Sequence, residues 1–139
     1  MVEVTKAIDL ATILAAHERI QPHIHRTLVL TSERLDKSSG ASLFFKCENF
    51  QKIGAFKARG ATNAVFWLDD ARARRGVATH SSGNHGAAVA RAAKLRAIPA
   101  HIIMPSNSAK VKIRAIKATV RRSFFVNQRK RRAKRHARK

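Results

Sequence analysis

Residues 76–118 alternate strand and helix at short spacing, which most restricts what this chain can fold into. Gly76-Val77-Ala78-Thr79 reads as a short strand, and residues 81–86 as a loop feeding an Ala-rich helix over 87–95. A second strand over 100–104 is stopped by Pro105. Ser108 then opens a last helix with Val111, Ile113 and Ile116 as its apolar positions. A helix between two strands carries the chain back over the sheet. The pattern therefore points to an α/β unit with a parallel sheet.

The upstream half is less regular. The apolar period predicts a helix over 5–20, with Thr5 as its cap and Ile8, Ala11 and Leu14 on one face. Residues 28–31 read as extended, Lys37-Ser38-Ser39-Gly40 as a turn, and 43–47 as a strand with Phe44 and Phe45. A helix is expected over 57–68, with Phe66 and Trp67 in the core, and a surface turn from Asp69 to Gly76. Cys47 reads as a small core residue. Helix and strand content together set the class as α/β.

Charge divides the chain. It carries 29 Lys and Arg against 8 Asp and Glu, a formal net charge of +21. Ten of those basic residues, and no acid, lie in 119–139. A block of like charge repels itself and resists folding. The expectation is a structured body to residue 118 and a basic tail over 119–139 that is disordered or out of frame. One cysteine excludes a disulfide framework and is consistent with a reducing, cytoplasmic setting. The start lacks a basic-then-apolar signal pattern. No run approaches the roughly 20 apolar residues of a membrane span. The histidines and acids show no metal-ligand spacing, so no metal site is expected.

Two places could carry chemistry. The loop Ser81-Ser82-Gly83-Asn84-His85-Gly86 lies between a strand and a helix start. Unpaired N–H groups and the helix dipole there attract anions. The two glycines admit close backbone approach, and four polar side chains add donors. This suits a carboxylate or phosphate, although turn residues at an ordinary capped helix start read the same way. Lys57 opens a helix beside Phe56, with Lys52 and Arg59 near in sequence. A lysine near other cations or out of water can be neutral and form a Schiff base. Most lysines, however, are solvated surface groups.

The run Phe44-Phe45-Lys46-Cys47-Glu48-Asn49-Phe50-Gln51-Lys52-Ile53-Gly54-Ala55-Phe56-Lys57-Ala58-Arg59-Gly60-Ala61 resembles the lysine motif of fold-type II pyridoxal-phosphate enzymes. Residues 81–86 resemble their asparagine loop. His23 to Ser32 is similar to a further family segment, with Leu28 where Pro is usual. Met104-Pro105 to Lys112 is similar to another, with Ser108-Ala109 where Ala-Pro is usual. The nearest members are serine racemases and serine/threonine dehydratases, and the likeness covers about residues 6–118. Two long motifs in order make it specific.

The resemblance implies a partial, truncated tryptophan-synthase-β-like fold, a three-layer α/β/α arrangement with a parallel sheet. Residues 1–75 would belong to the large domain and 76–118 to part of the small one. It implies pyridoxal 5′-phosphate held by Lys57 as a Schiff base, with Lys57 also the base for the substrate α-proton. Phe56 would pack near the ring and Asn84 would bond the ring hydroxyl. Ser81, Ser82, Asn84 and His85 would bind the substrate carboxylate. Ser82 would be the catalytic acid/base on the opposite face. The activity implied is racemisation of serine, or ammonia loss from serine or threonine, in a chain that commonly forms homodimers. The glycine-rich phosphate loop and the carboxylates of the family's divalent-cation site are not found in this sequence. The chain alone is therefore expected to be inactive and poorly stable. The alternative is a non-catalytic remnant whose tail binds a polyanion such as nucleic acid.

Overall fold

The structure, a computed structural model, describes residues 8–81, 83–119 and 122–126. Helix α1 spans Leu10–Ile20. Its cap is Asp9, whose carboxylate accepts from the Thr12 N–H at 2.7 Å and the Thr12 hydroxyl at 2.6 Å. Thr5, the expected cap, lies outside the described residues. Strands β1 (Val29–Leu30) and β2 (Phe45–Lys46) pair antiparallel. Between them the expected turn at 37–40 is instead the end of helix α2 (Glu33–Ser39). Gly40, at φ 70°, caps α2 in the left-handed conformation. Only Gly40 of that expected turn lies outside the helix; α2 has no apolar period to announce it in the sequence.

Helix α3 (Lys57–Trp67) buries Ala58, Ala61, Thr62 and Val65, spaced as one helical face. Trp67 falls off that face and is 75% exposed, which corrects its placement in the core. Phe66 is half-buried and packs on His23, ring centroids 4.3 Å apart. The expected surface turn after α3 is a short helix α4 (Asp70–Arg74), capped by Asp69.

The second half follows the alternation. Strand β3 (Val77–His80), helix α5 (Asn84–Leu95), strand β4 (Ala100–Pro105), helix α6 (Lys110–Thr119) and strand β5 (Arg122–Val126) build a parallel sheet of order β3-β4-β5. Val77 pairs with Ala100, and His101 with Arg122. Strand β5 corrects the expectation that structure stops near residue 118. Ser123-Phe124-Phe125-Val126 is a short β-prone run between basic flanks, and β4 would otherwise present it an open edge. Residues 127–139 of the expected tail lie outside the described residues.

Helix α5 is the centre of the molecule. Ala88, Val89, Ala90 and Ala93 join Ala61 of α3, Ala100, Ile102 and Met104 of β4 and Ile116 of α6 in one buried cluster. Alanines let α3 and the sheet approach α5 closely from two sides. This core crosses the boundary expected at residue 76. Helix α5 ends with the Ala97 N–H on the Lys94 carbonyl and the Ile98 N–H on the Ala93 carbonyl. That is the paired termination usually built around a left-handed glycine. Here the residue is Ala97, at φ 56°. Ala97→Gly is expected to stabilise the chain by about 0.5–1 kcal/mol. A lower urea midpoint in the variant would refute this.

Candidate active site around Lys57 and the Ser81–Gly86 loop

The loop is held at both ends. The Ser81 N–H donates to the Ile103 carbonyl at 3.0 Å, extending the β3–β4 pairing by one rung. The Gly83 N–H donates to Oγ of Ser81 at 3.2 Å. A Cβ on Gly86 would stand 2.9 Å from the Ser81 carbonyl oxygen and 3.2 Å from the Ile102 side chain. The glycine is thus what lets the loop close onto the sheet. Asn84 and His85, both exposed, occupy the first turn of α5, which holds no acidic residue. The N-terminal dipole of this helix meets no carboxylate in that turn, as an anion-binding end requires.

Lys57 begins α3, and its Nζ lies 5.3 Å from the centroid of the Phe56 ring. Among the described residues it makes no ion pair. Phe56, Lys57, Thr79 and His85 line one open cavity of about 470 Å³. Its apolar wall comes from Ala61, Ala64 and Val65 of α3 and Val77 and Val89 across from them. The structure thus brings Phe56 and Lys57 to His85, although 28 or more residues separate them in sequence. Ser81 and Asn84 sit on the same loop and first turn without lining that cavity. Ser82 lies outside the described residues.

The sequence reading missed the residues that hold the lysine segment in place. The Glu48 carboxylate takes a two-pronged contact from Arg59, Nε at 2.9 Å and Nη2 at 2.7 Å. It also accepts from the Thr27 hydroxyl at 2.6 Å. The Arg59 guanidinium, above all, holds the Glu48 carboxyl down at about 2, with the Thr27 and Gln51 contacts adding to it against partial burial. Arg59 is correspondingly raised. The Gln51 side chain, buried, accepts from the His25 N–H at 2.8 Å and donates to the His25 carbonyl at 2.9 Å. Glu48, Gln51 and Arg59 lie inside the quoted motif, yet no periodicity announces that they bond a segment more than twenty residues upstream.

The set fits the ring and carbonyl end of pyridoxal phosphate. A cavity of this size is of ligand dimensions, with the Lys57 amine and the Phe56 ring on its lining and His85 of the first turn of α5 beside them. Among the described residues, no group of three or more His, Cys, Asp or Glu side chains could hold a metal ion. No helix among them is long and apolar enough to cross a membrane.

Comparison with known proteins places these features in a family. The model of the pyridoxal-phosphate dependent enzymes matches residues 20–139. The chain is 62% identical over 109 residues to a β-hydroxyaspartate dehydratase of Paracoccus denitrificans, covering 78% of this chain and 33% of that protein. It is 59% identical over 107 residues to a serine racemase of Arabidopsis thaliana, covering 77% and 32%. Among solved structures, maize serine racemase superposes with a TM-score of 0.82 at 51% identity, covering 88% of this chain and 37% of that one. The chain spans about a third of the length of the curated relatives it matches. Motif, fold and family match agree, and the chain belongs to the pyridoxal-phosphate dependent enzymes.

Proposed function

We propose that Lys57 is the amine that holds pyridoxal 5′-phosphate. We further propose that the whole protein acts on a small β-hydroxy amino acid (serine, threonine or 3-hydroxyaspartate), by racemisation at Cα or by loss of the β-hydroxyl. The observation that carries this is the shared cavity of Lys57, Phe56 and His85. The relatives named serine racemase and β-hydroxyaspartate dehydratase support both reactions. When bound, the cofactor supplies the electron sink for the α-carbanion.

This chain's own residues then have separate tasks. Lys57 Nζ takes the α-proton on one face. Phe56 packs beside the ring and Asn84 bonds its hydroxyl oxygen. Ser81, Ser82, Asn84 and His85, with the N–H groups of the α5 end, orient the substrate carboxylate. Ser82 exchanges a proton on the opposite face. Loss of the β-hydroxyl, protonated and leaving as water, gives an enamine, which tautomerises to an imine that water hydrolyses to a 2-oxo acid and ammonia. Within the whole protein, residues 1–75 belong to the large domain and the unit beginning at β3 to the small one, packed together through α3 and α5. The assembly is a homodimer in the cytoplasm.

Titration with pyridoxal 5′-phosphate tests the central point. The chain is expected to develop visible Schiff-base absorbance that Lys57→Ala lowers to the level of its other exposed lysines, and to release no 2-oxo acid from serine without the rest of the fold. Equal absorbance in Lys57→Ala would overturn the assignment. A polyanion-binding tail remains the second reading, supported by ten basic residues without an acid over 119–139.

A further inference from the structure

We propose that the Glu48–Arg59 pair, with Gln51, is a positioning device that aims Lys57 into its cavity. The inference rests on Lys57 being the cofactor-holding amine. Three elements converge just upstream of that residue. Arg59 lies two positions after Lys57 on α3, so whatever fixes its guanidinium fixes the first turn of the helix. Glu48 holds it through both nitrogens, at 2.9 and 2.7 Å. Arg59 Nη2 also reaches the His25 carbonyl at 3.3 Å.

The same carbonyl accepts from Gln51, and the Gln51 carboxamide oxygen takes the N–H groups of His25 and Lys52, at 2.8 and 2.9 Å. Thr27 closes the set by donating to Glu48. The segment 25–27, the loop 48–52 and the start of α3 are therefore tied into one polar unit.

Between that unit and Lys57 the backbone must turn sharply. Ile53 and Gly54 are both left-handed, at φ 62° and 68°. A β-branched residue in that region is held there by its surroundings rather than by preference. Ile53 is pinned by packing against the core cluster. Its neighbour on the other side, the Gly54 N–H, returns to the Gln51 carbonyl at 2.8 Å. With the polar unit loosened, the strained turn can relax, and Phe56 and Lys57 swing with it. The pair touches no reacting atom and acts only through Lys57.

The test is borohydride trapping of pyridoxal 5′-phosphate on the whole chain. Labelling at Lys57 and at the exposed Lys94 on α5 is read by peptide mass spectrometry. Wild type, Glu48→Gln and Arg59→Lys are compared, with helical circular dichroism on each sample. The expectation is preferential labelling of Lys57 in wild type, and a ratio of Lys57 to Lys94 labelling about tenfold lower in both folded variants. Labelling at Lys94 stays unchanged. An unchanged ratio in either folded variant overturns the positioning role. Loss of helical signal in both variants assigns the pair to stability alone and overturns it too. Wild type without preference for Lys57 defeats the cofactor assignment itself, and this proposal falls with it.

Discussion

Gly76→Ala is expected to destabilise the chain by about 3 kcal/mol, because the added methyl meets both a positive φ and a close backbone neighbour. Gly76 joins α4 to β3 at φ +83°, and a Cβ there would stand 2.6 Å from the Pro99 carbonyl oxygen and 2.8 Å from the Pro99 Cβ. That same carbonyl accepts the Val77 N–H at 2.9 Å, the bond that starts β3 alongside the strand after Pro99. The alanine must therefore either push this rung of the sheet apart or twist out of its own backbone conformation. Gly40→Ala is the control. It shares the positive φ, at +70°, but has nothing within 4 Å of the added carbon. It is expected to cost only about 1 kcal/mol. Urea unfolding of both variants measures the difference. Equal midpoints would show that conformational strain, and not the approach of Pro99, is what Gly76 serves.

The second large effect is acid sensitivity centred on Glu48. Its carboxyl lies at about 2 in the folded chain against an ordinary 4.5, first because of the Arg59 contact. A folded value below the unfolded one adds stability that is complete above about pH 4.5. It drains away as the pH falls toward 2. The pair is partly exposed, its side chains keeping 28% and 18% of their surface. Solvent screening therefore trims the contribution to about 2 kcal/mol. Unfolding free energies from urea titrations of wild type and Glu48→Gln should differ by that amount at pH 7 and converge as the pH approaches 2. Curves that stay parallel through that range would remove Glu48 as the source.

The alternation of strand and helix after residue 76 was legible because each element there has its own period and its own stop: Pro105 for β4, the polar loop before α5. The helix over 57–67 was legible for the same reason. Elements whose stability comes from elsewhere were not. Helix α2 has no buried residue and no apolar face to read. Strand β5 is a few β-prone residues inside a basic run, and it exists because β4 offers an edge. Trp67, an aromatic at the end of a helix, reads as core from its type and place, yet the geometry of α3 turns it outward.

The candidate site divides the same way. The chemistry of the amine at Lys57, the anion-binding capacity of a polar loop at a helix start, and the family motif are local properties of residue types in order. The sequence alone determined these. Tertiary structure decided which of them meet. Close packing of α3 on α5, permitted by their alanines, brings Lys57 and Phe56 to His85 around one cavity and leaves Asn84 at its side. The contacts of Glu48, Arg59, Gln51 and Thr27 belong to this second kind. A hydrogen bond between distant segments leaves no periodic trace, because its partners are matched in space and not in sequence.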